Sequence, residues 1–558
     1  IVLAATHSYV KMEQFDMAQI LIFSPEALFS LLLCFFLLSH YYFARRSRSD
    51  CKQHDGHGHL PPSPPKLPLI GHLHLIGRDP HVSLASLARK HAGPDGLMLL
   101  HLGEVPNLVV SSPRAAEAVL RTHDHVFASR PWSTVADFLL SGHSDIALAP
   151  YGEYWRQARK LVTTHLLSSS KVRALQGARE EEVRLVIDKV RAAAAQRSAV
   201  DMTDLLGAFA NDVVCRAVSG KFFREGGRNE LFRELISGIT AALAGFNLED
   251  FFPSLAKVGL VRLVVLAKTN TLKKRWDELL DKIIDDHATR LSSQEHDEQE
   301  QQNHLERDLV DVILSLQHEY NLTRDNVRVI LMDMFSAGTD TSYIVLEFAM
   351  AELIRKPHLM AKLQAEVRSK TPEGQRNVKE EDLSGMAYLK AVVRETLRLH
   401  PPAPLLLPHL SMAKCEDVNG YGIPAGTRVI VNVWALGRDG ESWGEKADEF
   451  WPERFMDGDT TADFKGRDFQ FLPFGAGRRM CPGMSFGLAT VEVMLANLVY
   501  CFDWELPHGM RGEDVDMDEV FGVTVRRKEK LVLCRKYHKE PSVHAANDTL
   551  LYTCILVE

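Results

Sequence analysis

Apolar residues recur every three or four positions over Ser170–Ala195, Leu231–Ala244, Lys273–Arg290, Val327–Arg355 and Met386–Leu399, the spacing of helices with one buried face. A further helical run covers Ser485–Tyr500. Strand-like stretches are short: Leu97–Leu102, Asn107–Ser111 and Arg428–Val433. The Gln-, Glu- and His-rich stretch Ser292–Glu306 has no apolar period and reads as an exposed loop. The pattern therefore predicts a mainly α fold with a smaller β region. No repeat of 20–50 residues interrupts it.

One apolar run does not alternate. From Ala27 to Ala44 the chain reads ALFSLLLCFFLLSHYYFA without a charge. At about 1.5 Å per residue this nearly spans the apolar thickness of a bilayer, and Ile20–Phe23 extends it. Arg45, Arg46 and Arg48 follow, so the positive-inside rule puts the remaining chain in the cytosol. The alternative, a cleaved secretory signal, is disfavoured by the length of the run, the basic residues after it and the lack of an A-x-A site. Next comes PPSPPKLP at Pro61–Pro68, whose five prolines in eight residues favour a stiff polyproline II spacer.

Composition narrows the function classes. The 558 residues are 46% apolar and 25% charged, as in globular proteins, and the net charge of −8 argues against a nucleic-acid binder. The 8 cysteines include no CxxC, so zinc-ribbon and dithiol redox sites are not signalled. A Rossmann G-x-G-x-x-G after a strand and a Walker loop are also missing, so an oxidoreductase of this sequence takes its electrons from a partner.

Among the cysteines, Cys481 stands apart. It lies in FLPFGAGRRMCPGMSFG (Phe471–Gly487), just ahead of a helical run. The N-terminal dipole and free N–H groups of a helix stabilise a thiolate there. Gly475, Gly477 and Gly483 let backbone approach a flat, bulky object and turn around it. Arg478 and Arg479 add positive charge that suits the carboxylates of a cofactor. A thiolate presented in this way is the ligand that an oxygen-cleaving haem needs.

The pattern F-x-x-G-x-R-x-C-x-G, met at Phe474, Gly477, Arg479, Cys481 and Gly483, resembles that of the cytochrome P-450 superfamily, the haem-thiolate monooxygenases. Further motifs follow the same resemblance: AGTDTS at Ala337–Ser342, ExxR at Glu395 and Arg398, WPERF at Trp451–Phe455, and WRQAR at Trp155–Arg159. It implies haem b, with Cys481 as the axial ligand of the iron. Asp340 and Thr341 would relay protons from one side of a helix, and Gly338 would clear space above the haem. Trp155, Arg159, His409 and Arg479 would reach the propionates. Glu395, Arg398 and Arg454 would form a buried structural triad.

Within the superfamily the chain resembles the plant A-type enzymes. Longer stretches, among them THDHVFASRP, NDVVCRAVSGK and LMDMFSAGTDTSYIVLEFAMAEL, are similar to the grass benzoxazinoid-pathway indole and indolinone monooxygenases. The likeness implies a small apolar, aromatic, indole-like secondary metabolite as substrate. By position, the pocket would draw on Phe138, Leu139, Phe246, Phe335, Ala337, Ala403, Leu405 and Phe521. Electrons would come from NADPH through the flavins of a separate membrane-bound cytochrome P-450 reductase, with Arg156, Lys160 and Arg478 as candidate docking cations. The expected location is the endoplasmic-reticulum membrane, with the catalytic domain in the cytosol.

The expected organisation is a non-native leader (1–16), a membrane anchor (17–45), a linker and Pro-rich hinge (46–72), a haem-thiolate catalytic domain (73–536) and an atypical C-terminal tail (537–558). Two rivals stay open at this stage. One is a haem-thiolate isomerase or dehydratase that needs no reductase, and the other a non-catalytic haem-binding protein.

Overall fold

The computed structural model describes residues 59–536 apart from 196–197, 221–222, 225–226, 246, 257–258, 295–306 and 457–461. The expected anchor, leader and C-terminal tail, and most of the polar loop at 292–306, lie outside the described residues. The chain divides into two compact units, 1–58 with 67–69 and 59–66 with 70–558, and the fold below is that of the second.

Its principal elements are α1 (Pro80–His91), β1 (Leu97–Leu102), β2 (Val105–Val110), α2 (Glu153–Leu161), α3 (Gln176–Ala195), α4 (Met202–Ser219), α5 (Arg228–Ala244), α6 (Gly259–Gln294) and α7 (Arg324–Arg355). After these come α8 (Pro357–Lys370), α9 (Ala387–Leu399), β3 (His409–Leu410), β4 (Arg428–Val431), α10 (Met484–Cys501), β5 (Asp503–Glu505) and β6 (Val532–Lys536). Helices dominate, and the largest sheet has four strands in the order β1-β2-β4-β3. β1 and β2 form an antiparallel hairpin, and β2 runs parallel to β4, with Asn107 opposite Arg428. A second sheet centres on β6, which pairs antiparallel with β5 and with Val200–Asp201.

The core is built around α7. Thr323 caps its start with Asn326 in a reciprocal box, and residues such as Ile330, Leu346, Phe348 and Leu353 are fully buried along it. It packs against α4 and α10. Gly338 is what lets α7 cross α4 closely, since a Cβ there would stand 2.8 Å from Cγ2 of Val214. The glycine brings two helices into contact, so the expected clearance above a cofactor is not its role here. Both α7 and α10 are long and apolar enough to cross a membrane, but they are mostly buried in this core.

Three predicted boundaries shift for local reasons. The helix predicted over Ser170–Ala195 is two, Ser169–Ala174 and α3, broken at Leu175. The strand predicted to Val433 stops at Val431 because Asn432 caps a helical turn, its side chain accepting from the Ala435 N–H at 3.1 Å. The helix predicted from Lys273 begins at Gly259, where an apolar run without clear period hides it from pattern reading.

Candidate active site

The loop from Phe471 to Gly483 delivers Cys481 to the N-terminus of α10. Gly475 and Gly477 have φ of 68° and 67°, a region that favours glycine, and any Cβ on Gly477 would lie 2.2 Å from the Leu120 carbonyl oxygen. Gly477 thus allows protein backbone, rather than a ligand, to approach. Gly483 has an ordinary φ of −88°. The Cys481 N–H donates to the Phe474 carbonyl at 2.9 Å, and the Phe474 ring packs on Phe464 at 5.7 Å.

Burial pushes the Cys481 thiol up, while the N–H groups of Gly483 and Met484 and the Arg159 guanidinium pull it back. Yet the side chain is accessible. A sulfur that is surrounded by protein and still reachable lies on a concave wall. Ala337 tells the same story: it is exposed although most of α7 beside it is buried.

A cluster of cations adjoins this wall. Arg479 donates to Ala128 O at 2.7 Å and Ala149 O at 2.6 Å, and its guanidinium lies 4.0 Å from the centre of the Trp155 ring. Arg130 donates to Ala147 O at 3.0 Å and Leu407 O at 2.6 Å. Arg159 donates to Met480 O. Burial and the Arg479 charge bring Arg130 down to about 9, and burial with Arg159 brings Arg479 to about 10. Asp145 is the carboxylate acting on both, and burial raises its own pKa. The guanidiniums bond to neutral carbonyls and repel one another, an arrangement that a dianion would relieve. With the reachable sulfur, it fits an iron porphyrin that carries two carboxylates.

Not every expected propionate contact is in place. Trp155 Nε1 donates to Ile146 O at 3.0 Å, so its N–H is already used. His409 holds Phe127 O at 2.8 Å through Nδ1, which must therefore carry the proton. Burial and Arg130 keep this imidazole well below its ordinary pKa, leaving Nε2 bare. It donates to a carboxylate only as the imidazolium, a form that a neighbouring dianion favours. Arg130 was not among the residues singled out from sequence, although THDHVFASRP contains it.

The acid and the hydroxyl also diverge. Thr341 Oγ1 donates to Ala337 O at 2.7 Å, on the accessible side of α7. Asp340, one residue and about 100° earlier, turns instead towards α5, where Thr240 Oγ1 is 3.3 Å from Oδ2. The two side chains do not share one face, which corrects the sequence expectation. Burial raises the Asp340 carboxyl, with the Arg526 charge opposing.

Of the expected pocket residues, Phe335 is fully buried in a stack with Phe232 at 3.9 Å, and Leu139 is fully buried too. Neither is placed to touch a ligand. Phe521 stacks on His81 at 5.8 Å. Phe138, Ala403 and Leu405 are half-buried, and Phe246 lies outside the described residues.

Behind the site, Glu395 receives Arg398 Nε and Nη2 at 2.8 Å each and Arg454 Nε at 3.0 and 3.1 Å. All three side chains are buried, and the arginines also tie down carbonyls of Ala447, Glu449 and Lys446. Arg478 pairs with Asp124 at 3.1 Å, while Arg156 and Lys160 are exposed.

The profile of a family described as Cytochrome P450 matches residues 61–534. Indole-2-monooxygenase of Zea mays is 58% identical over 517 residues, covering 90% of this chain and 94% of that protein. Indolin-2-one monooxygenase of Zea mays is 54% identical over 484 residues, covering 85% and 88%. A zebra fish cytochrome P450 solved with abiraterone superposes with a TM-score of 0.68 at 25% identity, over 83% of this chain and 100% of that one.

Proposed function

This chain belongs to the cytochrome P450 family, and we propose that Cys481 supplies the axial thiolate of its haem and that its substrate is a small, apolar, indole-like aromatic. The protein is a P450 monooxygenase, and the family's cofactor is haem b. When bound, the haem supplies the oxygen-cleaving chemistry that a thiolate ligand promotes.

The remaining roles fall to this chain's own groups. The Gly483 and Met484 N–H groups would stabilise Cys481 as a thiolate when the haem is bound. Arg479, Arg159 and Arg130 receive the propionates, joined by His409 once protonated. Asp340 carries a proton at Oδ2 and Thr341 presents its hydroxyl on the accessible side of α7, so that protons reach the site without open water. The residue 17–45 anchor and the hinge to residue 72 hold the catalytic domain, 73–536, at the cytosolic face of the endoplasmic reticulum. Electrons arrive from NADPH through a membrane-bound reductase, for which exposed Arg156 and Lys160 offer docking charge; Arg478, tied to Asp124, contributes less.

The observation that carries the assignment is the reachable sulfur at the start of α10, beside clustered guanidiniums bonded to neutral carbonyls. The substrate class rests on the Zea mays indole-2-monooxygenase, 58% identical to this chain. Cys481→Ala should abolish the thiolate band of the reduced, carbon-monoxide-bound protein; persistence of that band would remove Cys481 as ligand. Microsomes containing the chain and a reductase should oxygenate indole or indolinone. If a broad panel yields other products only, the substrate assignment fails and the haem assignment stands.

A further inference from the structure

Asp340 has a neighbour that the motif does not announce. Thr240 lies on α5, a hundred residues earlier in the chain, and its Oγ1 makes two contacts. One is with its own helix, at 2.9 Å from Ile236 O; the other is with Asp340 Oδ2 at 3.3 Å. A hydroxyl has one hydrogen to give. The carbonyl of Ile236 can only accept, and it is the nearer partner, so the Thr240 hydrogen belongs there.

With that hydrogen on Ile236, the 3.3 Å contact between Thr240 Oγ1 and Asp340 Oδ2 is a hydrogen bond when Oδ2 carries the proton and Thr240 Oγ1 accepts it. Burial favours that protonated form. The groups facing this carboxyl are Arg526, which favours ionisation, and Thr240 itself; Tyr343 and Glu347 follow on α7, and burial raises both. The result is a directional chain: Asp340 O–H to Thr240 Oγ1, and Thr240 O–H to Ile236 O=C. Its last member is a helix carbonyl, so the chain does not continue to water.

We propose that Thr240 is a positioning residue for the proton-delivering acid: its hydroxyl oxygen holds the Asp340 O–H against α5, away from the Ala337–Thr341 face, until the acid is needed. This rests on the reading of Asp340 as the proton donor. Turning the carboxyl towards Thr341 costs the Thr240 bond, so the position of α5 controls when the proton is available.

The test uses the full-length holoenzyme with reductase in microsomes, with indole as probe, and four variants: Thr240→Val, Thr240→Ser, Asp340→Asn and the Thr240→Val/Asp340→Asn double. The first readout is infrared and independent of turnover. The carboxylic C=O band that disappears in Asp340→Asn should move to higher frequency in Thr240→Val and stay put in Thr240→Ser. The second is the share of NADPH oxidised that appears as hydrogen peroxide, read with and without indole. It should change at least roughly twofold in Thr240→Val, return in Thr240→Ser, and be unaffected by Thr240→Val when Asp340 is already Asn.

An unmoved band in Thr240→Val overturns the proposal. So does equal behaviour of Val and Ser, which would mean packing volume alone. If Asp340→Asn leaves peroxide formation unchanged, the donor reading itself fails and takes the proposal with it. If Asp340→Asn alters it while Thr240→Val does not, the donor reading survives and only the positioning role is lost.

Discussion

Single side chains divide here by what they can still offer. Cys481 and Ala337 face accessible space, whereas Trp155 has spent its N–H on Ile146 and Phe335 its faces on aromatic neighbours. Residue type made all four candidates in the sequence, because motifs record identity but not direction. Direction is a tertiary fact, set by which partner each group finds first. Thr341 shows how this can be tested. Its hydroxyl donates to Ala337 O at 2.7 Å, so the oxygen lone pairs remain free to accept a proton in transit. Thr341→Ala removes that acceptor without changing charge or lowering helix propensity. The variant should keep the thiolate band and the stability of the parent, while product formed per NADPH falls several-fold, against the roughly 10²-fold to 10⁴-fold span of proton-transfer effects on rate. Peroxide should rise to match. Unchanged coupling in stopped assays of product and peroxide would remove Thr341 from the relay.

Helices show a second gap between pattern and structure. The 3.6-residue period located α9 closely because it carries a marked apolar face, while α7 and α10 stand out as long, largely apolar runs, α7 with a cap at Thr323. It missed the start of α6, where apolar residues run without a clear face, and the break at Leu175. It also gave Gly338 the wrong neighbour. A glycine in a helix signals close approach, but the sequence does not say of what. The structure supplies the answer at the α4–α7 crossing, where Val214 fills the space above it. Valine is stiff at χ1 within a helix, so a methyl group placed 2.8 Å away must push the helices apart. Gly338→Ala should therefore destabilise the protein by about 1–3 kcal/mol, despite the better helix propensity of alanine. Val214→Ala, combined with it, should recover most of the loss. Thermal or denaturant midpoints of the two single variants and the double test this, and a gain in stability from Gly338→Ala alone would contradict the crossing.

At the scale of the whole molecule, distant segments are tied by charges that no local pattern announces. The ExxR spacing is legible because Glu395 and Arg398 share a helix face, and resemblance supplied Arg454. No such cue brings Glu519 to its partners. This carboxylate lies in a two-residue strand, with His81 Nε2 from α1 at 3.0 Å and His400 Nδ1, just after α9, at 3.8 Å. His400 in turn reaches Glu352 near the end of α7 at 3.0 Å. Burial alone would raise the Glu519 pKa, but the neighbouring His400 and the hydrogen-bonded His81 outweigh it and hold the group at about 2. Its unfolded value is near 4.5. As acid is added through that interval the unfolded chain takes up the proton and the folded one does not. The stabilisation is therefore complete above about pH 4.5 and is lost as pH falls towards 2, on the order of 3 kcal/mol in all. Glu519→Gln should lower stability at neutral pH and flatten its dependence on pH across this window. The measurement is the denaturant midpoint by circular dichroism of detergent-solubilised holoenzyme at several pH values. Parallel curves for parent and variant would mean that Glu519 titrates alike in the folded and unfolded chain, and that the link among α1, α7 and the chain after α9 is not ionic.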